Sequence, residues 1–110
     1  MKNYIQEGNV LTLIAPAGGV VSGKAYLIGL LVVVASFSAN GGEEFEGYTV
    51  GVFELGKAVA DAPAQGDKAY WDDTGKEVTT VALNNTLFGV FTKAQANGDT
   101  TGHIRLGLVA

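Results

Sequence analysis

The chain has 110 residues, 47% of them apolar and only 16% charged, with a formal net charge of −4. That is enough for one domain with its own core, too apolar for disorder, and its seven basic residues are too scattered for nucleic-acid binding. No cysteine is present, which excludes disulfides, thiolate metal sites and thiol nucleophiles.

Sixteen glycines against two prolines separate short apolar or alternating runs. This spacing predicts an all-β fold: a single sandwich or barrel domain over residues 1–110, with at most one short helix. Met1–Gly8 carries few core signals and no apolar run of the secretion-signal kind. It reads either as an arm that orders on contact, with Asn3, Tyr4, Gln6 and Glu7 as candidate contact residues, or as an ordinary edge strand. A strand is predicted over Asn9–Ile14.

Next comes Gly18-Gly19-Val20-Val21-Ser22-Gly23-Lys24-Ala25, one residue short of a phosphate-binding P-loop. That loop needs a Ser or Thr hydroxyl after the Lys for Mg²⁺, and a helix whose N-terminus faces the phosphates. Ala25 has no hydroxyl, and the β-branched run that follows reads as strand. Two tight turns are the expectation here, with no nucleotide or other cofactor.

The run Lys24–Ser36 is too long for one ordinary strand, and Gly29 is expected to bend or bulge it. Its apolar stretch is too short to cross a membrane. Asn40-Gly41-Gly42 opens a predicted loop carrying Glu43, Glu44 and Glu46. Strands are predicted over Tyr48–Phe53, Lys68–Trp71, Glu77–Leu83, Leu87–Thr92 and Gly102–Val109. Glu54–Ala62 could form a short helix, weakened by Gly56 and stopped by Pro63. Asp72-Asp73-Thr74-Gly75 and Asn97-Gly98-Asp99 are turn signals.

No catalytic or metal constellation stands out. His103 is the only histidine, and Ser22, Ser36 and Ser38 lack a nucleophile signature, so a solvent-facing strand histidine is expected. Glu43, Glu44, Glu46, Asp72 and Asp73 lack the spacing of a calcium loop and read as solvated. Trp71, after Tyr70, reads as core packing in preference to a stacking platform.

Several segments, in order along nearly the whole chain, resemble one family of small tailed-phage and prophage proteins. They are Asn3–Gly8, Ala15–Gly23, Gly51–Ala58, Gly66–Asp72, Thr86–Val90 and Ile104–Leu106. Members are described as capsid cement or head-decoration proteins, and the family is often labelled a predicted RecA/RadA-type phage recombinase. The recombinase label fits poorly, because that activity needs a larger domain, a complete P-loop and a DNA-binding surface. The resemblance therefore implies a non-enzymatic virion protein on the capsid surface, made in the bacterial host cytoplasm. It implies the major capsid protein as partner and self-association as a homotrimer, with no nucleic acid and no membrane. A head-completion or tail module is the alternative virion role. Leu30–Val34 is more apolar than the family pattern, so that segment is expected to lie deeper in the core.

Overall fold

The structure is a computed structural model that describes residues 9–107. Nine strands form two antiparallel sheets, and no helix occurs among the described residues. In chain order the strands are β1 (Val10–Ile14), β2 (Ala25–Ile28), β3 (Leu31–Ala35), β4 (Glu44–Tyr48), β5 (Gly51–Gly56), β6 (Lys68–Asp72), β7 (Glu77–Thr79), β8 (Thr86–Phe91) and β9 (Thr101–Leu106). The first sheet runs β1-β4-β3-β2 and the second β5-β9-β8-β6-β7. The all-β expectation holds. The second sheet curls until Lys57, after β5, bridges Val78 of β7, but it does not close into a barrel.

The predicted bend at Gly29 is a full reversal. Ile28 pairs with Leu31, so Gly29 and Leu30 form a two-residue hairpin loop, with Gly29 at φ 65°. A two-residue connection favours turns that begin with a positive φ, which glycine adopts without strain. The result is two short strands where one long one was expected. Leu30 stands 92% exposed at the tip, while Val32, Val33 and Val34 are buried.

Burial of three consecutive residues means both faces of β3 are covered. Val32 and Val34 join Ala25 in facing the second sheet, where they meet Leu55, Ala69, Trp71, Val78, Phe88, Phe91, Ile104 and Leu106. Val33 and Ala35 point the other way and pack with Phe45, Ala15 and Val20. The connections on either side of β2–β3 lie over that face, held by the Val20↔Ala39 bridge.

Two further expectations are corrected. The predicted glutamate loop ends at Glu43: Glu44–Tyr48 is strand β4, inserted between β1 and β3. Its alternation of exposed and buried residues has Phe45 and Gly47 inward and Glu44, Glu46 and Tyr48 outward. The chain then leaves this sheet through Thr49 and Val50 and starts β5, so the predicted strand Tyr48–Phe53 is the junction of two. Glu54–Ala62 is not helical, because Glu54–Gly56 completes β5 against β9. Pairing with a neighbouring strand overrides the weak helix propensity there.

Candidate functional site

The glycine-rich segment is built as two turns, with Gly18, Gly19 and Gly23 at φ 92°, 79° and 81°. Every backbone N–H from Gly19 to Lys24 is already engaged. Gly19 donates to Pro16 O, Val20 to Ala39 O, Gly23 to Ala35 O and Lys24 to Val21 O. Val21 donates to the Tyr26 hydroxyl and Ser22 to Ser38 Oγ. A phosphate loop works by presenting free N–H groups to the anion. This loop spends them on the fold, and Ala25 opens a strand. Calorimetric titration with Mg·ATP is therefore expected to show no saturable heat. Micromolar binding that disappears in Lys24→Ala would contradict this.

Residues 22–26, residues 54–56, Trp71 and Lys76 line an open cleft of about 620 Å³. Trp71 is only 4% exposed and packs edge-on to Phe88, with ring centroids 6.2 Å apart. It is a core residue, as its sequence context suggested, and no platform for a ligand. Its indole N–H donates to Asp73 Oδ1 at 3.1 Å, and Lys76 Nζ lies 2.7 Å from the same oxygen.

These two donors, Lys76 first and Trp71 second, hold the Asp73 carboxyl below its ordinary value of 3.8. A carboxylate lowered on folding contributes stability above its unfolded pKa, and loses it as pH falls through the folded one. The pair is well exposed, so the effect is small. Lys76→Ala is expected to bring the Asp73 titration midpoint, followed by side-chain NMR, back up towards 3.8. An unchanged midpoint would remove Lys76 as the cause.

The carboxylates considered together from sequence are kept apart. Glu43 caps its own turn by accepting the Asn40 N–H at 2.8 Å, and Glu44 and Glu46 stand on β4. Asp72 belongs to the other sheet, where it accepts the Thr74 and Gly75 N–H groups. Among the described residues no group of three or more His, Asp or Glu is placed to hold a metal ion. His103 lies on β9, partly exposed as expected, and its Nε2 is 3.6 Å from Glu54 Oε2, the cross-strand neighbour on β5.

The surface is distinguished instead by exposed apolar side chains. Leu30 at the hairpin tip stands beside a shallow groove of about 370 Å³ lined by Leu31, Val50, Leu87 and Phe88. Ile14 is 58% exposed on β1 and Val52 60% exposed on β5. Sequence reading assigned none of these to the surface, because a strand pattern shows which residues share a face and not whether that face is covered. The candidate contact residues Asn3, Tyr4, Gln6 and Glu7 lie outside the described residues.

A family profile described as phage cement protein matches residues 5–106. No curated protein and no solved structure matches this chain.

Proposed function

The chain belongs to the phage cement protein family, and from that premise we propose that it binds the outer surface of an assembled phage shell and stabilises it. The observation that carries this reading is the family match over residues 5–106. That family membership makes the protein a structural, capsid-associated component of the virion. The finer statements are our own: the major capsid protein as partner, the outer surface as location, no catalysis, and self-association with a trimer as the expected order.

The physics suits such a role. A protein that binds the assembled shell but not the free subunit shifts assembly by mass action alone. It needs a rigid body and apolar contact surface. The double-faced packing around β3 supplies the first, and Leu30, Ile14 and Val52 supply part of the second.

Deleting residues 1–8 tests the proposed docking arm. The truncated chain is expected to keep its melting temperature and to lose co-sedimentation with expanded shells. A large drop in melting temperature would place the segment in the fold and end its reading as an arm.

A further inference from the structure

Four strands form the edges of the two sheets: β1 and β2 in one, β5 and β7 in the other. Exposed edges invite pairing with other chains, and proteins usually defend them with charge, brevity or capping. β7 has three residues. β2 has four, between Lys24 and the Gly29 turn. β5 has Glu54 near its centre, and its end is tied to β7 by the Lys57↔Val78 bridge. β1, Val10-Leu-Thr-Leu-Ile14, has five residues with no charge, proline or glycine.

The direction of its hydrogen bonds follows from its ends. Thr49 donates to Asn9 O and Ala15 donates to Glu43 O. In an antiparallel ladder the bonded residues alternate, so Leu11 and Leu13 bond to β4. Val10, Thr12 and Ile14 then direct their N–H and C=O groups away from the sheet. Among the described residues nothing pairs with that edge.

From this geometry we infer that β1 is a self-association edge, pairing antiparallel with β1 of a second copy about a twofold axis at Thr12. This deepens the self-association proposed above and rests on that part of it. The sequence of the strand is its own complement. About Thr12, Val10 meets Ile14 of the second copy, Leu11 meets its Leu13, and Thr12 meets Thr12. Each pair is of the kind that favours cross-strand contact, branched with branched and Thr with Thr. The same register joins all three outward N–H groups and all three outward C=O groups of each copy. Charge does not oppose it. Glu46 pairs with Thr12 inside one copy, so the two Glu46 residues lie three strand spacings apart, about 14 Å, beyond the screening length at physiological salt. The pairing is isologous, and leaves the other surfaces of the chain for threefold contacts.

The absence of cysteine makes the test direct. Residues facing each other in a bonded antiparallel pair have Cα atoms about 5.5 Å apart, within disulfide range. Mild oxidation of the full chain carrying Thr12→Cys is expected to give a covalent species of twice the 11.4 kDa chain mass. Val10→Cys alone is expected to stay single, because the two copies of Val10 sit about 14 Å apart in this register. Mixing Val10→Cys with Ile14→Cys restores the link. Thr12→Pro removes only an outward N–H, a change edge strands tolerate, and is expected to lower the light-scattering mass at equal concentration.

A wild-type chain that is monomeric at high concentration overturns the proposal, and would mean that the edge is capped within the chain or reserved for the capsid subunit. So does Thr12→Cys failing to link, or linking no better than Val10→Cys. Co-sedimentation with shells is scored separately. Binding without the Thr12 link overturns the pairing and leaves the capsid role standing; the link without binding does the reverse.

Discussion

Gly89→Ala is expected to be the most damaging single-methyl change in the molecule. Gly89 lies in β8, opposite Ala69 of β6 and Leu106 of β9. A Cβ built there would sit 2.2 Å from the carbonyl oxygen of Arg105 and 3.2 Å from Ile104 Cγ2. The first obstacle is backbone inside a paired strand, so it cannot step aside as a side-chain tip can. Overpacking ordinarily costs 1–3 kcal/mol, and an immovable neighbour puts this case higher, at about 4 kcal/mol. At roughly 4 °C per kcal/mol for a domain of this size, the melting temperature falls by about 16 °C. Gly56→Ala is the control, because Gly56 has open space around its Cβ position and no positive φ. It is expected to shift melting by less than about 2 °C. Equal effects at the two sites would show that the approach of β8 to β9 is not as close as described.

Lys57→Met ranks second. Lys57 is 2% exposed, yet its ammonium is fully engaged. Nζ donates to Ala58 O at 2.7 Å and Asp61 O at 2.6 Å, with Val59 O at 3.4 Å. The Asp61 carboxylate in turn accepts the Thr79 hydroxyl at 2.6 Å and the Thr80 N–H at 3.0 Å. The lysine thus folds the connection after β5 around itself, and Asp61 pins that connection to the end of β7. Methionine keeps most of the apolar stem but leaves at least two carbonyls without their short bonds. Each unmet bond to a buried group costs about 1–3 kcal/mol, so a loss of about 3 kcal/mol, or roughly 12 °C, is expected. A variant as stable as wild type would mean that water reaches those carbonyls.

Both residues show where the sequence was opaque. Glycine was read as punctuation, and at Gly18, Gly23 and Gly29 that is what it is. Gly47, Gly89 and Gly102 are strand residues whose missing side chains admit Val33, the β9 backbone and the Phe91 ring. No local pattern distinguishes a glycine that turns the chain from one that admits a neighbour. Lys57 is opaque for a related reason, since nothing in its flanks announces a ring of carbonyls.

The legible features were those set by alternation. The run Gly102–Val109 was read as a strand, and β9 forms there with Ile104 and Leu106 buried and Arg105 outward, the alternation that makes such a run legible. β4 was missed because three glutamates close together look like a solvated loop. Glu44 and Glu46 are compatible with a strand because one face of β4 has no covering layer. The near-P-loop was set aside on Ala25 and on the strand expected to follow it, and strand β2 does begin at Ala25. A further reason, that the N–H groups from Gly19 to Lys24 are all engaged, is visible only in three dimensions.

The central claim is that this chain stabilises an assembled phage shell. The most direct measurement is differential scanning calorimetry of expanded shells of the cognate major capsid protein, with the chain added in increasing amounts. The shell transition is expected to move to higher temperature and to saturate at a fixed ratio of chain to capsid subunit, while unassembled subunits show no shift. A shell transition that stays put at saturating chain, with no chain recovered in the shell pellet, would contradict the account.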